Sequence, residues 1–189
     1  ELVSLAEQRL AKGRRTLVAD AALPAKIASA SDVSPILRGL AALPENPADG
    51  LYKLWVAEFR NGAPVMQYVN GAEVARYSQA GVITPDHVIR TKAKALVLPA
   101  PEAGKLDAFA AAAKDAFAAY ADAYRAYFER NNARATPKKK ILDVVPRVIL
   151  IPGLGLFALG KSAKDAKIAA DIAENNVEAI LDAEAIGRF

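Results

Sequence analysis

The twenty residues from Arg147 to Ala166, Arg-Val-Ile-Leu-Ile-Pro-Gly-Leu-Gly-Leu-Phe-Ala-Leu-Gly-Lys-Ser-Ala-Lys-Asp-Ala, constrain the fold more than any other part of the chain. Gly155 to Ser162 is a literal match to G-x-x-x-x-G-K-[ST], after an apolar run and before a helix-like run, which is the setting of a phosphate-binding loop. The residues between the glycines argue against that chemistry. A phosphate loop presents successive backbone N–H groups to anionic oxygens and needs small residues that enter left-handed conformations. Leu156, Phe157, Ala158 and Leu159 are apolar and read as strand. The 27 residues after Ser162 read as one helix, so the later strands that would carry a magnesium-holding acidic residue are not expected. The expected order is strand, glycine-marked bend, strand and capped helix, with Gly153, Gly155, Gly160 and Ser162 as structural loop residues. Ser162 and Asp165 resemble a capping box with Asp in place of Glu.

The length of 189 residues suits one domain, or a domain with an appendage. Hydrophobic residues make up 53% and charged residues 24%, a globular balance that excludes a disordered chain. No apolar run reaches the roughly 18 residues a membrane span needs, and the start lacks the pattern of a signal peptide. With no cysteine, disulfides, thiolate zinc sites and cysteine nucleophiles are excluded, and a cytoplasmic location is expected. The net charge of +4 is scattered, and the run Lys138, Lys139, Lys140 lacks interleaved aromatics, so nucleic acid is not an expected partner. The missing initiator Met suggests a processed product, an expression product or a piece of something longer.

Apolar spacing predicts a helix over 2–12, stopped by Gly13, and a helical N-terminal segment over 1–48 packed on an α/β core over 49–189. Residues 51–60 and 63–69 flank Asn61-Gly62 and predict a β-hairpin. A helix is expected over 71–79, a turn or single helical turn at 84–87, and a strand over 95–98. Phe109, Ala113, Ala116, Phe117, Tyr120, Tyr124, Tyr127 and Phe128 fall on one face of a long helix over 107–130, read as packing rather than a ligand stack. Strands over 147–151 and 156–159 and a terminal helix from Ala163, with a small-residue face at Ala166, Ala169, Ala170 and Ala173, complete the chain. The mixture predicts an α/β fold with a mixed or largely antiparallel sheet flanked by helices.

Candidate chemistry centres on the one histidine, His87. Asp86 is placed to orient an imidazole, and Arg90 and Lys92 to hold an anion, so His87 is the candidate catalytic residue and Arg90 and Lys92 the candidate anion-binding residues. The alternative is a local hydrogen-bonding or interface histidine. No metal site is expected: one histidine and no cysteine leave only oxygen donors, without calcium-loop spacing. No G-x-S-x-G elbow exists for a serine nucleophile.

Three stretches, 75–92 with Thr84-Pro-Asp-His-Val-Ile-Arg-Thr-Lys92, 124–130, and 146–173, together resemble the bifunctional class II aldolase/short-chain dehydrogenase family, which includes rhamnulose-1-phosphate aldolase/alcohol dehydrogenases. The resemblance runs from about Val74 to Ile180 and covers the middle segment of that family only. It implies a parent enzyme of carbohydrate metabolism with zinc and NAD(P), whose zinc-aldolase and Rossmann chemistries lie outside this chain. Gly153-Leu154-Gly155 is similar to the segment near the end of class II aldolase domains where Leu154 stands in place of a zinc-binding histidine. The implied fold is a degenerate class II aldolase-like domain, without cofactor of its own and not catalytic alone. The implied partners are other domains or subunits of the parent enzyme in a homo-oligomer, with neither nucleic acid nor membrane among them. The competing expectation is an anion or sugar-phosphate site at His87, Arg90 and Lys92, completed by another domain or subunit.

Overall fold

The computed structural model describes residues 2–12, 21–46 and 48–187. In chain order the elements are α1 (Leu2–Lys12), α2 (Ala30–Ala41), β1 (Leu43–Asn46), β2 (Leu51–Lys53), β3 (Val56–Arg60), α3 (Ala63–Val69), α4 (Val74–Tyr77), α5 (Pro85–Thr91), β4 (Leu96–Val97), α6 (Leu106–Asn132), β5 (Val148–Ile151), β6 (Gly155–Gly160) and α7 (Ala163–Ile186). The expected stop at Gly13 lies outside the described residues.

A four-stranded sheet ordered β3-β6-β5-β4 forms the middle layer; β6 is antiparallel to both β3 and β5, and β4 runs parallel to β5. The sheet is therefore mixed and largely antiparallel, with helices on both faces. A separate antiparallel ribbon joins β1 to β2.

Every residue of β5 and β6 is buried, as expected for inner strands covered on both faces. Alternation along the strands sorts these side chains into two cores. Ile149, Ile151, Phe157 and Leu159, with Trp55 just before β3, meet Val33, Leu37 and Ala41 of α2 and Phe109, Ala113 and Phe117 of α6. On the opposite face Val148, Leu150, Leu156 and Ala158 meet Ala169, Ala170, Ala173, Val177 and Ile180 of α7, with Val65 and Val69 of α3. Ion pairs add ties at the edges: Arg60 of β3 reaches Asp171 and Glu174 of α7 at 3.1 and 3.2 Å, and Arg76 of α4 reaches Glu184 at 2.6 Å.

The alanine face of α7 lets the helix press on the sheet, and the closest approach is at Gly160. A Cβ there would lie 2.1 Å from the backbone nitrogen of Ala166, a clash no rotamer relieves. The bend between β5 and β6 is equally specific. Gly153 (φ 79°) and Gly155 (φ 142°) occupy positive-φ conformations that side chains disfavour, and a Cβ on Gly155 would meet the Arg60 carbonyl oxygen at 2.5 Å.

The expected hairpin at Asn61-Gly62 is not formed. Residues 63–69 are the helix α3, with Pro64 in its first turn, where the missing N–H costs nothing. Val65, Tyr68 and Val69 are buried at helical spacing, and the partner of β3 is β6 instead. The helix expected over 71–79 contracts to α4, because Gln79 already donates its side-chain amide to the Ala95 carbonyl at 2.9 Å as the chain turns away. The turn expected at 84–87 opens α5, which runs on to Thr91.

The long helix α6 has the expected location. Its 27 residues span roughly 40 Å at 1.5 Å per residue, well beyond the short strands it covers. Only Phe109, Ala113 and Phe117 of its aromatic and apolar stripe are buried, while Tyr127 is 44% exposed.

Two glycine substitutions test this packing. Gly160→Ala is expected to lower stability by about 1–3 kcal/mol, the usual cost of forcing a methyl group into a filled core. Gly39→Ala, inside α2 with open space around the added carbon, is expected to raise it by about 0.5–1 kcal/mol. Urea midpoints of the two variants and the parent chain provide the comparison.

Candidate functional site

The three candidate residues lie in or beside α5, and each has a different neighbour. His87 Nδ1 lies 2.6 Å from Thr84 Oγ1, a contact within one helical turn. Arg90 projects outward, half exposed, and its nearest charge is Asp165 of α7 at 3.7 Å. Lys92 turns inward: it ends α5 with φ 62° and is only 4% exposed. The structure does not draw His87, Arg90 and Lys92 around a common void. The cavity beside this segment, between α7 and the turns on either side of α5, is lined by Ser78, Thr91, Lys92, Ala173 and Asn176 among others, and neither His87 nor Arg90 borders it.

Lys92 belongs to a polar cluster at the end of the sheet where β3, β4 and β5 begin. Its Nζ donates to the Asp143 carbonyl at 2.6 Å and lies 3.9 Å from the centre of the Tyr124 ring. The Asp143 carboxylate is 3.8 Å from Nζ and accepts two hydrogen bonds from Arg147, at 2.7 and 2.9 Å. The guanidinium of Arg147 in turn lies 4.2 Å from the centre of the Trp55 ring. Two cations thus share one carboxylate and two aromatic faces, a way of keeping charge at a buried edge through paired and cation–π contacts. Trp55 is 1% exposed, and its indole N–H has no acceptor among the described residues.

The electrostatics follow the geometry. Burial, then repulsion from Arg147, lowers the Lys92 pKa to about 7, and Asp143 offsets only part of this. Burial opposes ionisation of Asp143, but the hydrogen bonds and charge of Arg147, aided by Lys92, hold its carboxyl below the usual range. Burial raises the pKa of Tyr120 and Tyr124. The amine is covered by a ring and engaged by a carbonyl, so the cluster joins the 143–147 segment to α6 and the strand ends. Sequence reading singled out Lys92 but not Asp143, Arg147 or Trp55. Asp143 and Arg147 stand four residues apart, but their segment is not helical, so the spacing is not the helix-surface pair signal, and nothing local places either beside residues 55 and 92.

The G-x-x-x-x-G-K-S string cannot act as a phosphate loop. Gly155 to Gly160 is the strand β6, and it pairs with β3 on one side and β5 on the other, so its backbone groups are committed to ladders rather than presented to an anion. Ser162 caps α7: its Oγ accepts from the Asp165 N–H at 3.1 Å and donates to the Asp165 carboxylate at 2.8 Å. Gly153 donates its N–H to the Asn70 side-chain oxygen at 2.7 Å, which binds the bend to the end of α3.

The donor set does not fit zinc. Leu154, at the position where the resemblance places a ligating histidine, lies in the core with its side chain against α2-side residues. A leucine has no lone pair to offer a metal. Among the described residues, no three His, Cys, Asp or Glu side chains are grouped to hold an ion, and no helix is long and apolar enough to cross a membrane.

This mixed α/β framework, with its glycine-marked β5–β6 bend, agrees with the family comparison. The chain belongs to the family described as aldolase class II, second domain, whose family model matches residues 28–189. It is also similar to a Bacillus subtilis (strain 168) protein that carries the name uncharacterized oxidoreductase YuxG. The two are 29% identical over 158 residues, which is 83% of this chain and 21% of the relative. The chain therefore spans about a fifth of that relative's length. No solved structure matches.

The lowered pKa of Lys92 gives stability a defined pH dependence. The folded amine loses its proton near pH 7, an unfolded one near pH 10.4. Between these values the unfolded chain binds more protons, so stability is lowest below pH 7 and rises as the pH increases. The rise is at most about 1.4 kcal/mol per pH unit. Above pH 10 the raised tyrosines oppose it, because unfolded phenols ionise first. Urea midpoints measured from pH 6 to 9.5 are expected to rise in the parent chain relative to Lys92→Met, and parallel profiles would contradict the assignment.

Proposed function

We propose that this chain is the second domain of a longer bifunctional aldolase/short-chain dehydrogenase of carbohydrate metabolism, and that within it the domain is a non-catalytic scaffold and interface. The observation that carries the reading is Leu154: at the β5–β6 bend, where the resemblance places a zinc-binding histidine, stands a core leucine that cannot ligate a metal. The family match over residues 28–189 supports the placement as a second domain, and the oxidoreductase name of a relative about five times the length of the shared segment supports a larger parent. In that parent, zinc and NAD(P) are held by other domains.

The separate partners of His87, Arg90 and Lys92 support the same reading. A general base beside an anion site requires its groups to converge within hydrogen-bonding reach of one substrate. Here the imidazole faces Thr84, the guanidinium faces Asp165 and the amine is buried under Tyr124.

Kinetics of the full-length enzyme test the proposal. His87→Ala is expected to keep kcat/KM for both retro-aldol cleavage and alcohol oxidation within about twofold of the parent, since removal of a true general base costs about 10²–10⁴. A loss of that size in either reaction would instead place His87 in a composite site. In parallel, zinc titrated into the 189-residue chain is expected to give no saturable heat of binding, and retro-aldol turnover by the metal-checked chain would overturn the scaffold assignment.

A further inference from the structure

The helix α1 carries an apolar face that nothing in the described structure covers. None of its residues is buried, and Leu2, Val3, Leu5 and Leu10 are 83%, 71%, 59% and 48% exposed. At 3.6 residues per turn these four side chains and Ala6 fall within an arc of about 160°, wider than the apolar stripe of an ordinary core-facing helix. Arg9 alone of the polar side chains falls inside that arc, and Ser4, Glu7 and Gln8 lie opposite. Eleven residues are too few for a stable isolated helix, since helices below about 12–15 residues are marginal in water without tertiary packing.

The two hydrophobic cores contain no residue of α1, so the second domain is complete without it. The family match also excludes it, beginning only at residue 28. That family is by description a second domain, and the longer relative has ample chain for a first one, because the shared segment is 21% of its length. We infer that α1 is an interdomain helix whose leucine face seats on the first domain of the same polypeptide, so that the second domain is held by a helix belonging structurally to its neighbour. The inference rests on the reading of this chain as part of a longer enzyme.

Hydrogen exchange of the α1 amides, measured in the 189-residue chain and in the full-length polypeptide, tests it. In the chain alone these amides are expected to exchange near their unprotected rates at every protein concentration; in the full-length protein they are expected to slow by at least about tenfold. Leu5→Asp in the full-length protein is expected to return α1 to the fast rates while leaving β6 protected, which separates loss of docking from loss of folding. Equal rates in the two forms would overturn the inference. So would protection in the chain alone that grows with concentration, because the face would then be covered by a second copy. If α1 is protected but His87→Ala abolishes turnover, docking stands and the non-catalytic reading fails. If α1 stays unprotected while turnover survives, docking alone fails.

Discussion

The approach of α7 to β6 at Gly160 is the contact from which the rest of the architecture is built. Two residues separate the end of the strand from the start of the helix, which is capped by Ser162 and folds back across the sheet with its alanines against Leu150, Leu156 and Ala158. Alanine and glycine let backbone approach backbone, and the close packing leaves room for nothing larger at the crossing. Once α7 is placed, α3 and α4 have a surface to bury against, and Arg60 and Arg76 find their carboxylates on the helix. The other face is then free to take α2 and α6 through bulkier side chains. One face is close-packed by small residues and the other filled by aromatic and branched ones, a division already written in the alternation along β5 and β6.

The polar cluster at the sheet end solves a different problem. The segment before β5 has no regular structure, yet it crosses the end of the sheet between α6 and Trp55. Arg147 stacked on Trp55 and paired to Asp143, with Lys92 bonded to the Asp143 carbonyl, ties this segment to three elements without filling the space by apolar volume. A motif search seeks basic residues near a histidine and expects them to face outward to an anion. Here the most deeply placed cation has been drawn inward to a backbone carbonyl and an aromatic ring. Of the three residues that suggest a substrate site in sequence, Lys92 is accounted for by packing. That contrast, together with Leu154 at the position where the resemblance places a metal ligand, is the ground of the proposed scaffold role.

Much of the fold was legible because the signals were local. The 106–132 and 163–186 helices declare themselves by periodicity over many turns, and β5 and β6 by unbroken apolar runs next to glycines. The expected hairpin after Arg60 failed because Asn61-Gly62 is a turn signal only if the following residues pair as a strand. Pro64 and the i, i+3, i+4 spacing of Val65, Tyr68 and Val69 favoured a helix. The family resemblance was legible in the 84–92 and 146–173 stretches, and the match over residues 28–189 supports its coarse form. The cluster around Lys92 was not legible, since residues 55, 92, 124, 143 and 147 are brought together only by the sheet and α6.

Sequence by itself determined the two long helices, the buried strand pair, the capped start of α7 and the lack of cysteine and of a second histidine, because each depends on residue type and short-range spacing. Tertiary structure alone decided the strand order β3-β6-β5-β4 and the inward turn of Lys92. Those outcomes depend on which surfaces are available for burial, and a surface made from residues a hundred positions apart exists only after the chain has folded.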